Sequence, residues 1–422
     1  MARTYVIGAG LAGLSAALSL SRDGRAVTLI EATRRAGGRC RSYHDPALNC
    51  IVDNGNHLVM SGNKAAMSFL DEVGTRHRMT GPETAAFPFV DVASGKRWTV
   101  RPNWGPIPFW IFAPWRRVPH SSFLSFLPAL RLLTANRRQT VADVLPAGGA
   151  LYRGLWEPLV IAAINAKPTD AAAVLMRPVL LETFGRGAGA CRPLIAKVSL
   201  AESFIDPAID LLEARGVDIR FGERVQNLVS GDGAVTGLVV GDMPVRLDEG
   251  DNVILAVPPW DAGSLVPQLQ VPDAGEPIVN VHFRLYRPPR GDGAVEMMGL
   301  VGGFAHWIFV RDDIVSITIS AAREEAQLDA EEIAARCWAD VQVALGINGD
   351  LPPFRVVKEK RATFAQDPAS VAKRPGASTS LANLFLAGDW TNTGLPATIE
   401  GAIRSGRTAA ALAWKPEKRR KS

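Results

Sequence analysis

With 422 residues, 47% of them apolar and 21% charged, the chain is long enough for roughly two or three domains around large cores and too apolar to be disordered. Its four cysteines, Cys40, Cys50, Cys191 and Cys337, form no CxxC pair and no cluster with histidine, so no metal site and no disulfide framework is expected. The net charge of +5 is confined to residues 92–142 (+8) and 415–422 (+4), which leaves the remainder acidic and argues against a general nucleic-acid binder.

Met1-Ala-Arg-Thr leads straight into an apolar strand at Tyr5-Val-Ile, leaving no room for a secretory leader, and no apolar run is long enough for a membrane span. A cytoplasmic protein in a reducing compartment is expected. The strand meets Gly8-Ala-Gly10-Leu11-Ala12-Gly13, a small-residue helix over 14–20 follows, and a second strand, Val27-Thr-Leu-Ile, ends at Glu31. This order of strand, glycine turn, helix, strand and acid marks a dinucleotide-binding unit. Gly8 permits the turn, Gly10 lets the backbone of Leu11 and Ala12 approach a pyrophosphate at the helix N-terminus, and Gly13 lets helix and strand pack closely. Glu31, with Ala32 beside it, is placed to accept ribose hydroxyls.

Arg34-Arg-Ala-Gly37-Gly38-Arg39 comes next, and it resembles the glycine-doublet extension of the flavoprotein amine oxidase and phytoene desaturase superfamily. The resemblance implies FAD, with Gly37, Gly38 and Arg39 against its pyrophosphate and ribityl chain. Asp53-Asn-Gly55-Asn56-His57 is similar to the superfamily segment that passes close to the flavin. Gly55 and Asn56 are therefore expected at the ring, and His57 is a candidate acid, base or positioning group.

Residues 92–142 hold eight Lys/Arg, no carboxylate, and Trp98, Trp104, Trp110 and Trp115 interleaved with Phe109, Phe112, Phe123 and Phe126. We read this segment as facing an anionic membrane surface, where indole and arginine both suit the interface, with Trp104 to Phe126 framing the mouth of a substrate tunnel. An ordinary aromatic core is the alternative, and single-stranded nucleic acid is set aside. The tail 415–422 reads as a solvated terminus. Gly231-Asp-Gly233, between two apolar strands, is a hairpin turn, and Gly185-Arg-Gly187-Ala-Gly189 follows a helical pattern, so neither is a second phosphate loop. Without a second nucleotide fold the flavin's reductant must come from elsewhere; no residue names it, or an oligomeric state.

The strand ending at Phe221, the strand beginning at Val225 and the strand Asn252-Val-Ile-Leu are expected to return to the nucleotide domain, Val225 lying at the adenine by the resemblance. Ile278-Val-Asn-Val-His-Phe and Ile314-Val-Ser-Ile-Thr-Ile predict strands of a mixed sheet, and 330–345 a helix. Finally, Leu384-Phe-Leu-Ala-Gly388-Asp389-Trp390 breaks a strand at a glycine. Asp389 is then a candidate acceptor for polyol hydroxyls, and a helix begins near Ala397 and Thr398 with Ile399 as the nearest backbone donor to an anionic flavin. No cysteine lies near 388–400 in the sequence, so non-covalent FAD is expected.

The segment 388–402, together with Leu155-Trp-Glu157-Pro-Leu and Asn165, most closely resembles the squalene-associated desaturase group and its hydroxysqualene dehydroxylases. That resemblance implies replacement of the allylic hydroxyl of hydroxysqualene by hydride in squalene and hopanoid synthesis. Asn56 stands where the group often has a longer glutamine. Protonating the leaving oxygen makes His57 and Glu157 the candidate acids. A carotenoid-type desaturase and an amine oxidase share the pattern and stay open. The expected fold is α/β: a Rossmann-like FAD-binding domain from the discontinuous segments 1–75, 200–262 and 377–414, and an α+β substrate domain with a mixed sheet from 76–199 and 263–376.

Overall fold

The computed structural model describes residues 2–289 and 295–414; the basic tail at 415–422 lies outside them. Uninterrupted apolar runs form β1 (Arg3–Ile7), which leads through the glycine turn into α1 (Leu11–Arg22) and on to β2 (Ala26–Glu31). The strands β3 (Asp218–Phe221), β4 (Asn252–Leu255) and β5 (Leu384–Leu386) join them in one parallel sheet of order β3-β2-β1-β4-β5. The central strands β1, β2 and β4 are covered on both faces and are buried along most of their length, whereas the edge strand β3, Asp-Ile-Arg-Phe, is only partly buried.

Helix α2 (Ile399–Trp414) packs on α1. The contact is close because both helices are small there: a Cβ on Gly406 would run into the Ala12 carbonyl, and the Ser15 hydroxyl donates to the Ile403 carbonyl at 3.0 Å. Chain beginning and chain end are thus locked together around a shared core that includes Leu14, Leu18, Phe69 and Ile403.

A second, seven-stranded sheet runs Phe354–Glu359, Ile278–Arg284, Ile314–Ile319, Trp307–Arg311, Val295–Val301, Phe87–Asp91, Arg97–Val100. It is mixed, with Val295–Val301 and Phe87–Asp91 parallel and the other pairs antiparallel. Its strands alternate. Val279, Val281 and Phe283, like Val315, Ile317 and Ile319, are buried in the core that holds the helix Ala330–Leu345. Ile278, Asn280, Thr318 and Ser320 point the opposite way, into the molecule's main cavity. The Gly231–Gly233 turn closes the hairpin of Val225–Gly231 with Ala234–Val240, Asp232 and Gly233 both having positive φ.

Residues 104–134 form a run of short 3₁₀ turns at Phe109–Phe112, Pro114–Arg116 and Phe123–Thr134. Trp110, Phe126 and Leu132 anchor them in the core, while Trp104 (67% exposed), Phe109 (63%), Phe112 (58%), Trp115 (78%) and Leu130 (60%) face outward. The expected tunnel mouth is corrected here, since no residue of 104–126 lines the cavity. The turns spend their buried aromatics on anchoring and leave the rest on the surface.

Candidate active site

One cavity of about 860 Å³ gathers residues from both sheets. Its first group of lining residues is Gly8, Gly10, Leu11, Ala12, Glu31, Ala32, Gly37, Gly38, Arg39 and Val225; its second is Gly55, Asn56, His57, Gly388, Asp389, Ala397, Thr398 and Ile399. A third group, with Phe87, Phe89, Leu155, Leu159, Val179 and Phe309, belongs to one aromatic and aliphatic packing cluster and gives the cavity an apolar wall.

Glu31 ties the nucleotide loops together. Its Oε2 accepts from the Ala9 N–H at 2.8 Å, and its Oε1 from the N–H of Thr33 at 2.8 Å. The Ala9 carbonyl accepts from the Gly37 N–H at 2.8 Å, so acid, glycine turn and glycine doublet hold one another. Gly37 and Gly38 have φ of 114° and 55°, a pair that only glycines adopt without strain. A Cβ on Gly10 would meet no atom within 4 Å, which leaves room for a group lying against the backbone. The N–H groups of Leu11 and Ala12 at the start of α1, and of Thr398 and Ile399 at the start of α2, have no acceptor among the described residues. Two helix N-termini with free leading N–H groups, the second capped farther in by the Thr398 hydroxyl on the Gly401 N–H at 3.1 Å, open on one cavity and fit a molecule that carries a pyrophosphate at one place and anionic character at another.

The segment before α2 is held by residues the sequence did not single out. Buried Arg374 donates to the carbonyls of Leu395 (2.8 Å), Asp389 (2.9 Å) and Thr391, and Gln366 Oε1 accepts from the Ala397 N–H at 2.8 Å. Burial pushes the Arg374 guanidinium down to about 10, still well above neutrality. Arg39 pairs with Asp389 at 2.6 Å and donates to the Ala362 carbonyl at 2.8 Å. Cys40, next to Arg39, also lines the cavity, although it is distant in sequence from 388–400. Burial pushes its thiol up to about 12, so at neutral pH it is protonated and a weak nucleophile.

Two of the sequence-derived positions lie off the cavity. Gly13 sits beneath it, where a Cβ would strike the Gly8 carbonyl and stand 3.3 Å from the Ala256 Cβ, in keeping with its packing role. Glu157 is corrected as a candidate acid. On its helix, Glu157–Ile164, Leu159, Ala162 and Ala163 face the cavity, as does Leu155 in the π-helical turn before it, and a residue two positions before Leu159 points away from that face. Glu157 lies instead near Tyr152, whose phenol is raised first by burial and then by the Glu157 charge.

His57 does line the cavity. Its Nδ1 is 2.9 Å from the Gly55 carbonyl, an acceptor, so Nδ1 carries the proton and Nε2 a lone pair. Burial lowers its pKa from the ordinary value despite that hydrogen bond. The neutral ring is therefore a hydrogen-bond acceptor at Nε2, suited to positioning rather than to proton donation.

A glycine turn, an acid at the end of the second strand, and a second helix N-terminus facing the same cavity define a dinucleotide-binding flavoprotein. The chain belongs to the flavin containing amine oxidoreductase family, whose model matches residues 11–413. It is 44% identical to the hydroxysqualene dehydroxylase of Zymomonas mobilis subsp. mobilis over 413 residues, covering 98% of this chain and 99% of the relative. It is also 44% identical to that of Sinorhizobium fredii over 409 residues, 97% of each chain. Among solved structures, wild-type putrescine oxidase bound to putrescine superimposes with a TM-score of 0.71 at 18% identity, covering 97% of this chain and 98% of that one, a likeness of fold. The cofactor is FAD.

Proposed function

We infer that the chain reduces hydroxysqualene to squalene with reduced FAD, hydride replacing the hydroxyl, which takes up a proton from solvent and leaves as water while the flavin is oxidised. The observation that carries this reading is the full-length identity to hydroxysqualene dehydroxylases in a chain whose FAD cavity continues into an apolar wall. Bound reduced FAD supplies the hydride. The chain's own residues supply the rest. The α1 turn and the Gly37–Gly38 doublet hold the dinucleotide, Asp389 and Val225 contact its polyol and adenine, and the α2 N-terminus favours negative charge on the ring. Phe87, Phe89, Leu155 and Leu159 keep water from a C30 chain. Carotenoid-type desaturation draws support only from more distant relatives, at 22–23% identity, and amine oxidation only from the shared family and fold.

In this reading residues 1–75, 200–262 and 377–414 bind FAD without a covalent bond, and 76–199 with 263–376 hold the substrate. So insoluble a substrate is met at a membrane, and what supports contact there is the exposed Trp104, Phe109, Phe112 and Trp115 among Arg101, Arg116, Arg117 and Arg131. Among the described residues no helix is long and apolar enough to cross a membrane. The reading is therefore peripheral attachment, at the inner face of the cytoplasmic membrane. The test is anaerobic: photoreduce the flavin, add hydroxysqualene, and follow the flavin spectrum and squalene together. Reoxidation with squalene is expected; if neither appears, the assignment goes.

A further inference from the structure

In the mixed sheet, Asn280 and Thr318 are cross-strand partners on the face that walls the cavity, and Asn56 reaches them from the loop before His57. Two of their neighbours on that face are apolar. Ile278 lies on the same face of the same strand, and Trp307, the next cross-strand partner of Thr318, continues the row. Neutral polar groups in such a place are costly unless they are paired.

Their pairing is directional and incomplete. Arg311 Nη1 is held by the fully buried Asp53 carboxylate at 2.8 Å, and Arg311 Nη2 stands 3.5 Å from Asn56 Oδ1. A guanidinium only donates, so the Asn56 oxygen faces it and the Asn56 amide faces the other way. That amide donates to Thr318 Oγ1 at 3.0 Å, and the Thr318 hydroxyl donates to Asn280 Oδ1 at 2.9 Å. The remaining contacts of the cluster are long: Asn56 Nδ2 to Asn280 Oδ1 and to the Ile317 carbonyl at 3.5 Å each, the Asn56 backbone N–H to Asn280 Oδ1 at 3.5 Å, and Asn280 Nδ2 to the Asn54 carbonyl at 3.4 Å. At those lengths the amide protons are poorly satisfied, and Thr318 Oγ1 keeps a second lone pair.

We propose that Asn56, Asn280 and Thr318 form the subsite that holds the hydroxyl of the substrate. This rests on the reading that the substrate is a hydroxylated polyene. An alcohol matches what the cluster lacks, since its O–H can donate to Thr318 Oγ1 and its oxygen can accept an under-used amide proton. The cluster itself contains no carboxylate, so it suits a neutral alcohol rather than an ammonium group. The hydrocarbon then lies along the apolar wall while the C–O bond is fixed beside Gly55 and His57. These residues determine specificity and orientation; no bond is made or broken by them.

The test titrates oxidised holoenzyme, which cannot turn over, with hydroxysqualene and with squalene in detergent micelles, reading the flavin absorbance change. Wild type is expected to favour hydroxysqualene by roughly tenfold, the value of one or two good hydrogen bonds. Thr318→Val should erase that ratio while squalene affinity and flavin content stay as in wild type, and Thr318→Ser should restore it. Asn56→Ala is the second variant, should the first fail to hold flavin, and it must lower the ratio as well. A ratio that survives in either flavin-holding variant overturns the proposal. If wild type reduces hydroxysqualene after photoreduction yet binds both lipids equally, the subsite is wrong and the function stands. If wild type neither discriminates nor turns over, both fall.

Discussion

The guanidinium of Arg39 donates to the carboxylate of Asp389 at 2.6 Å, joining residues 350 positions apart within the lining of one cavity. The sequence places each of them separately against FAD, the base at phosphate and the acid at polyol hydroxyls. The structure adds that they orient one another: only Asp389 Oδ1 meets Arg39, and no partner of Oδ2 is found among the described residues. Asp389→Ala should therefore remove a polyol acceptor and loosen Arg39 in one change. Charge-assisted hydrogen bonds of this kind contribute about 1.5–3 kcal/mol, so the FAD dissociation constant should rise by about ten- to a hundredfold. Flavin fluorescence on dilution measures it, and an unchanged constant would mean that the pair does not hold the cofactor.

The two inner glycines of the first turn should fail differently. A Cβ on Gly10 meets nothing within 4 Å, so Gly10→Ala should fold with near-normal thermal stability and lose FAD, because the methyl occupies the space through which the backbone approaches phosphate. A Cβ on Gly13 meets the Gly8 carbonyl and the Ala256 Cβ, so Gly13→Ala should lower the melting temperature of the apoprotein itself. Thermal melts with and without added FAD separate the two. Equal apoprotein melting temperatures would refute the distinction.

What the sequence made legible is what lies close together along the chain. The turn from β1 into α1, Glu31 at the end of β2, and the break at Gly388 before α2 are local patterns whose spacing follows from strand and helix geometry. The Glu157 assignment failed on helical phase: a carboxylate beside an apolar run can point either way until the partner of that run is known. Asn280 and Thr318 alternate with core residues like any polar position on a sheet, and only the cross-strand register sets them side by side. Arg374 stands between Lys373 and Pro375 and reads as a surface base, yet its guanidinium is buried among the carbonyls of the 389–395 loop. No local signal distinguishes it, because its partners are supplied by the tertiary fold. Cys40 carries the same lesson: its distance in sequence from 388–400 said nothing of its place in the cavity.

Buried His282 should make the protein acid-labile. Its Nε2–H donates to the Asp53 carbonyl at 3.1 Å and its Nδ1 accepts from the Ser316 hydroxyl at 2.8 Å, so the ring is neutral in the fold. Burial pushes its pKa down to about 4 from 6.5. Above pH 6.5 neither state binds the proton. Between 6.5 and about 4 the unfolded chain takes it up and the native one does not, so stability falls as the pH drops through that window. Below it both states are protonated and the loss is complete, at about 3 kcal/mol. Carboxylates also contribute there, so the comparison is with His282→Gln, whose urea midpoint should be lower at pH 7 but decline less steeply towards pH 4. Parallel decline of the two proteins would show that His282 is not the cause.

The exposed aromatics of 104–130 should bind anionic bilayers independently of catalysis. Trp115 and Phe109, at 78% and 63% exposure, offer rings that a headgroup layer can cover, and Arg116, Arg117 and Arg131 on the same segment add attraction to anionic lipid. The full chain should therefore sediment with phosphatidylglycerol-containing vesicles more than with phosphatidylcholine alone, and less at high salt. Covering one large ring gains about 1.5–3 kcal/mol when complete, and an interface covers each only in part. Replacing both by serine should then weaken partitioning by at least about tenfold. No residue of 104–126 lines the cavity, so turnover of detergent-dispersed hydroxysqualene should be unaltered in the double variant. If the variant sediments like wild type, vesicle contact lies elsewhere on the chain; if it sediments less and also loses detergent activity, the aromatics serve the fold and not the membrane.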